Sequence, residues 1–569
     1  MEISLHHIWT KFSGIFSFTS FCALHFLQLY LQSHIIEIRS GGRMKQKTWI
    51  LLATISASSM AFISQSALNS ALPAIQEDLG ASAADLLWIV NIFQLFLGAL
   101  ILIGGALGDM HGRKRVFAAG IGVFTGASVL AGFAGSTNAL IAYRALMGLG
   151  GALMVPGSLA IISASIPSSE RGQAIGIWSA FTTMTSILGP VLGGFFVDIG
   201  FWRAVFFINV PLGILALTVL LMKVPESRDE TRTGRADIPG ALSATMALGA
   251  IVFGATEIGR LGIDSPRSLV PAILFLAGIA GMFLFVFIER RSPEPMVKLK
   301  LFSNPTFSGT NLLTLMLYGA LGGALFFFPL NLIQIQGYTA LQSGLAFVPF
   351  SILLMTMSPW VGRMSDRFGP RRFLLYGPLL VAGGFILLGI PGITAGVGAY
   401  WRSYFPGVLL LGTGMGLVVS PLTSTVMGCV QSSNAGIASG INNAISRAAG
   451  VIATALLGMV ALLVFSASLE ASLRDTSAVV PDSMEAAAAA ISEDQIQLLL
   501  EESDELAATP VPDSFSPALK QRSELAIRQS FVQVFRIIMF IAAGLAVISS
   551  VFTGIFVAPK KDWPESAGE

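Results

Sequence analysis

Apolar residues fall in long runs separated by short polar connections. A helix needs about 20 such residues to cross the hydrocarbon of a bilayer. Runs of that kind lie near 49–72, 86–107, 116–135, 139–162, 173–197 and 205–222. Two more lie near 238–258 and 269–288, and a third group near 307–330, 341–361, 373–392, 405–429, 436–465 and 530–557. The pattern predicts fourteen spanning helices and an all-α membrane protein, because a lipid solvent satisfies no backbone polar group and only helices or closed barrels cross it.

Basic residues orient these runs. With the first run starting in the cytoplasm, one set of connections holds clusters such as Lys45/Lys47, Arg113–Arg115, Arg290/Arg291 and Arg371/Arg372, while the short loops of the other set hold only Arg203, Arg260, Arg267 and Arg402. Positive-inside bias then places both ends of the core in the cytoplasm. Composition agrees: 54% of the 569 residues are hydrophobic and 12% charged, against about 25% charged in soluble domains. The net charge of +2 is scattered in short clusters and points to no nucleic-acid partner. Cys22 and Cys429 make no disulfide framework or zinc spacing, and four of the five histidines (His6, His7, His25, His34) precede the first run. Only His111 lies in the main body, so a catalytic triad or intramembrane metal site lacks its residues, and neither enzyme activity nor a cofactor is expected.

Two regions fall outside the regular pattern. Residues 1–43 are aromatic but interrupted by Lys11, His25 and Gln28, and read as a surface-lying or disordered extension or an early-assigned start; Met44 before Lys45 and Lys47 looks like a natural beginning. Residues 467–529 form a long acidic outer connection, read as a solvated helical hairpin or, alternatively, as an acidic lid over the outer mouth.

The strongest internal signal is a repeat. Gly105-Ala-Leu-Gly-Asp109-Met-His-Gly112-Arg113-Lys114-Arg115 follows the second run, and Gly362-Arg-Met-Ser-Asp366-Arg-Phe-Gly369-Pro-Arg371-Arg372 follows the tenth. Glycines permit a tight turn there, and each Asp can pair with Arg or cap a neighbouring helix, which suits a releasable latch. Further segments are Leu140-x-x-x-Arg144-x-x-x-Gly148-x-Gly150-x-Ala152, with Met147 inside it, and Leu188-Gly189-Pro190-Val-Leu-Gly193-Gly194. Trp202-Arg203 through Asn209-Val-Pro211, Gly337-Tyr338 through Gly344, and Gly436 through Arg447 complete the set.

Taken together these motifs resemble the major facilitator superfamily, specifically its 14-span drug/proton antiporter branch, over about residues 44–560. The resemblance implies two six-helix bundles plus two linker helices: residues 44–224, a linker pair within 225–299, and 300–569. It also implies a bacterial cytoplasmic-membrane exporter of hydrophobic or cationic drugs, working by alternating access with protons as coupling partner. The alternative is an exporter of one metabolite or lipid-like compound with atypical or no proton coupling. A periplasmic adaptor is left open. No Gly-x-x-x-x-Gly-Lys-Ser/Thr loop occurs to bind ATP.

Relatives usually carry an Asp where Ser64 stands, in the stretch Ser64-Gln65-Ser-Ala-Leu-Asn69, and no carboxylate lies in the interior of the first six spans. Arg144 sits inside a span, where an isolated charge costs about 2.5–3.5 kcal/mol and must face a partner or a wet cavity. Arg144, Gly189, Pro190 and Gly193 are the expected transport and coupling residues. Ser64, Gln65, Asn69, Asn91, Gln94, Met147, Thr182, Thr183 and Asn311 are the expected cavity residues. Apolar, adaptable walls favour bulky hydrophobic substrates over phosphorylated sugars or small polyanions.

Overall fold

The computed structural model describes residues 46–227, 237–263, 265–293, 295–431, 435–474, 491–501 and 503–558. Expectations for residues 1–43 therefore lie outside the described residues. Among those described there is no strand, and fourteen helices are long and apolar enough to cross a membrane. The first six are α1 (Gln46–Leu79), α2 (Ala83–His111), α3 (Arg113–Gly132), α4 (Thr137–Ser165), α5 (Ser168–Asp198) and α6 (Ala204–Lys223). Next come α7 (Ile238–Leu261) and α8 (Leu269–Arg291). The last six are α9 (Pro305–Leu330, continued by a π turn at Asn331–Ile335), α10 (Ala340–Ala346 and Val348–Phe368), α11 (Arg371–Gly389), α12 (Phe405–Gly428), α13 (Ala435–Arg474) and α14 (Pro517–Phe556).

The packing repeats. In the first six helices α1 lies against α4, α5 and α6, α4 against α2 and α3, and α3 against α6. In the last six, α9 lies against α13 and α14, α12 against α10 and α11, and α11 against α14. Small residues let these backbones approach: a Cβ on Gly150 would meet α3 backbone at Phe124, and one on Gly384 would meet α12 backbone at Leu411. The linker pair is unequal. Helix α7 packs on both α2 and α13, whereas α8 packs essentially on α7 alone and leaves Ile273, Leu276, Phe283 and Leu284 exposed, as a lipid-facing helix requires.

Two helices outrun the hydropathy pattern. α13 and α14 each have 40 residues, about 60 Å at the usual rise, twice the roughly 30 Å hydrocarbon thickness. Their inner ends carry the apolar runs, and their other ends continue as polar helix. Between them, Glu493–Glu501 is helical and Ser503–Ala508 makes a tight turn that rests on α2, α13, α14 and the π turn. Ile496, Leu499, Leu506 and Phe515 are buried there. The described part of the acidic connection is thus seated on the helices by an apolar underside and is not a free hairpin, while residues 475–490 lie outside the described residues.

Candidate functional site: the central seam and the buried Arg144

The two repeated loops have the same local structure. Gly112 and Gly369 adopt φ of 105° and 83°, and each donates its N–H to the carbonyl four residues back, Gly108 and Ser365. Only glycine enters that region freely, which is why the spacing ends on one. Two positions beyond each glycine a cation ties the loop to the last helix of its own bundle. Lys114 Nζ donates to the Leu221 carbonyl of α6 at 3.0 Å, and Arg371 Nη2 to the Gly554 carbonyl of α14 at 2.7 Å. Asp109 pairs with Arg113, Nη2 to Oδ1 at 2.9 Å. The N-terminus of α3 is capped by Glu226, whose Oε1 accepts from Lys114 N at 2.9 Å, a carboxylate the sequence reading did not single out. A Cβ on Gly105 would make only ordinary contact with Pro156, and the tight approach falls on Gly104, whose Cβ would meet the Ala152 carbonyl. Gly362 would meet the Ser420 hydroxyl. The Asp366 side chain lies outside the described residues.

Opposite that end the two bundles meet backbone to backbone. A Cβ on Gly194 of α5 would fall on the Ala340 carbonyl of α10, and one on Gly344 of α10 on the Pro190 carbonyl of α5. Asp198, at the C-terminus of α5, accepts from Thr339 Oγ1 at 2.8 Å, Ala340 N at 3.1 Å and Leu341 N at 3.4 Å. It caps a helix of the other bundle, where the positive end of the dipole favours an anion. Gln334 Nε2 of the π turn donates to Gln76 Oε1 of α1 at 3.0 Å, and Gln76 Nε2 to the Glu505 carbonyl of the outer turn at 3.2 Å. Toward the Asp109 end a cleft opens within the second bundle, between α9, α12 and α13, lined by Tyr318, Thr423, Ser439, Asn442, Asn443 and Ser446.

Gly189 and Gly193 serve the inside of the first bundle: their Cβ atoms would meet Ser66 and the Ala67 carbonyl of α1. Pro190 lies within the continuous helix α5.

Arg144 is 1% exposed. Its Nε donates to the Ile89 carbonyl at 3.1 Å, its Nη1 to Ser64 Oγ at 3.2 Å, and its Cζ sits 4.3 Å over the Phe93 ring. Ser64 is therefore the immediate neighbour of the buried guanidinium. Gln65 and Asn69 are half-buried on α1, one turn apart. Asn91 is fully buried with neither amide atom partnered among the described residues. Gln94 lies beside Gly450 of α13. Met147 is buried beneath Arg144 on α4. The Thr182 hydroxyl bonds its own helix, at Trp178 and Ser179. The Thr183 side chain lies outside the described residues. Asn311 Oδ1 accepts from Asn442 Nδ2 at 3.1 Å, and the same amide donates to Thr314 Oγ1 at 2.7 Å. Asn442 and Tyr318, which line the cleft, were missed; the Asn442-Asn443 pair inside a glycine-spaced motif was the available signal.

Residues 54–454 match the model of the Major Facilitator Superfamily. The chain belongs to that superfamily. This transporter is 34% identical over 436 residues, 76% of its length and 78% of the relative's, to the Multidrug resistance protein Stp of Mycobacterium tuberculosis. It is 33% identical over 421 residues, 73% of its length and 76% of the relative's, to the Tetracenomycin C resistance and export protein of Streptomyces glaucescens. It is 32% identical over 454 residues, 79% and 88% respectively, to the Multidrug efflux pump LfrA of Mycolicibacterium smegmatis. Its fold is that of a bacterial homolog of the human lysosomal transporter Spinster (TM-score 0.58, 16% identity, 90% of this chain and 98% of that one). The xylose transporter XylE from E. coli has the same fold (TM-score 0.52, 14% identity, 90% and 96%). The protein is a multi-pass membrane transporter of small molecules and not an enzyme.

Proposed function

We propose that this transporter exports bulky hydrophobic compounds of the drug and antibiotic kind across the cytoplasmic membrane by alternating access, with 44–224 and 300–569 as the moving bodies and 225–299 as a linker pair. One observation carries the reading: the bundles meet backbone to backbone and through Asp198 at one end, while the cleft of the second bundle lies toward the other. Rocking about the midplane would exchange the two. The clustering of basic residues supports the Asp109 end, and with it both termini of the core, as cytoplasmic. The repeated loops with Asp109, Arg113 and Asp366 would then form the latch that holds the opposite state.

Walls without charge fit neutral, hydrophobic substrates better than cationic ones, since no carboxylate lies near the middle of any described helix. The same observation favours a second reading, export of one compound class without protons as the counter-ion. In everted vesicles, a hydrophobic substrate panel should be taken up on energisation, with the pH gradient and the voltage collapsed separately. Loss on removing the pH gradient alone supports proton antiport. Persistence supports the second reading. No uptake of any substrate, and no change in drug susceptibility on expression, would overturn both.

A further inference from the structure

Two arginines lie within the membrane interior, Arg144 on α4 and Arg447 on α13, and among the described residues neither has an acidic partner. A guanidinium carries five donors and a charge that cannot be shed. Arg144 spends Nε on the Ile89 carbonyl and Nη1 on the Ser64 hydroxyl, both neutral, and its Nη2 takes no partner among the described residues. Its face rests on Phe93. A buried charge satisfied only by neutral groups is costly unless a counter-charge arrives. The chain itself could supply that charge from position 64, 3.2 Å away, but places there a short hydroxyl that titrates nowhere near neutrality. Phe93 and, one turn along α4 from Arg144, Met147 are both apolar and fully buried. Arg447 of the other bundle packs its Cβ against Gly98 of α2 and is a second positive charge with no bonded partner among the described residues.

We propose that Arg144 and the Ser64 hydroxyl form an anion subsite that takes the carboxylate of an amphipathic monoanion with a bulky apolar body. The planar fork matches a carboxylate in two parallel bonds, and the apolar surround takes the rest of the molecule. The proposal rests on the export reading and sharpens its substrate class. It also supplies a drive: a monoanion leaving a cell that is negative inside gains a factor of about 50 in concentration ratio per 100 mV, with no titrating carboxylate needed in the path.

The test uses the full-length protein in lipid nanodiscs, with pyrenebutyrate and its methyl ester as the probe pair and binding read by energy transfer from tryptophan, corrected for empty nanodiscs. The wild-type chain should bind the carboxylate at least tenfold more tightly than the ester. That ratio should fall to about one or below in Arg144→Gln and in Ser64→Asp. The second variant keeps the guanidinium paired and so stands if the first fails to fold. No preference in the wild-type chain, or a preference that survives Ser64→Asp, overturns the subsite. Proteoliposomes separate the two readings: movement of the ester but not the carboxylate sinks the subsite alone, whereas a preserved binding preference with neither probe moved sinks export and leaves the subsite standing. Carboxylate movement that accelerates with the voltage supports both.

Discussion

Replacing Asp198 offers the sharpest probe of the closed end. Its carboxylate receives three donors from the opposite bundle, at 2.8, 3.1 and 3.4 Å, all at the N-terminus of α10. Removing a helix-capping oxygen costs about 0.5–2 kcal/mol, and losing an anion at the positive end of the dipole costs about 0.3–1 kcal/mol before screening. Asp198 is exposed, so the lower parts of those ranges apply, about 1–1.5 kcal/mol together. All of it belongs to the closed-end state, because the bonds cross from α5 to α10. Asp198→Ala should therefore shift the balance between closed and open at this end by about five- to thirteen-fold. Asp198→Asn retains one acceptor and loses the charge, and should shift it by about half as much in free energy. Thr339 already caps the same helix, accepting from Gln342 N at 3.2 Å, so α10 itself stays folded in both variants. Spin labels at the exposed residues Ile199 and Trp401 would report the opening as a longer-distance population, which should grow with salt in the wild-type chain and not in the alanine variant. An unchanged distance distribution in Asp198→Ala would refute the reasoning.

Three further outcomes follow from other contacts. Gly194→Val places branched carbon on the Ala340 carbonyl, and transport should fall at least tenfold while the protein still assembles, with closure at that end lost in the same distance assay. Lys114→Met and Arg371→Met each remove one charge-assisted bond to a carbonyl at a helix end; each should cost about 1 kcal/mol, seen as a thermal midpoint a few degrees lower in detergent, with equal effects if the two loops are equivalent. Gln76→Leu breaks the bridge between α1, the π turn and the outer turn at Glu505, and hydrogen exchange of residues 503–508 should rise several-fold while α13 is unaffected.

Much of this architecture was legible because the hydrocarbon thickness imposes one length on every span. All fourteen apolar runs are helices, and the repeated glycines mark equivalent turns at Gly112 and Gly369. The extensions of α13 and α14 were not legible, since polar helix in water leaves no hydropathy signal. Asp198 belongs to no motif in the sequence, and its partners lie 141 or more residues away, beyond any local pattern. Ser64 was noticed as a departure from relatives, but only the fold brings it against Arg144 across 80 residues of chain. The spacing of the repeat picks out Gly105, whereas the close backbone approach falls one residue earlier, on Gly104.

Helix α8 hangs on the molecule through α7 alone. Its removal would strip no wall from the cleft and sever none of the bonds described between the bundles. A deletion joining the end of α7 to the start of α9 would, however, need to thread back through the bilayer, because an odd number of crossings would invert every later loop. The two linker helices are therefore kept or lost as a couple, and a chain that dispensed with both could retain the orientation and outline of the remaining twelve.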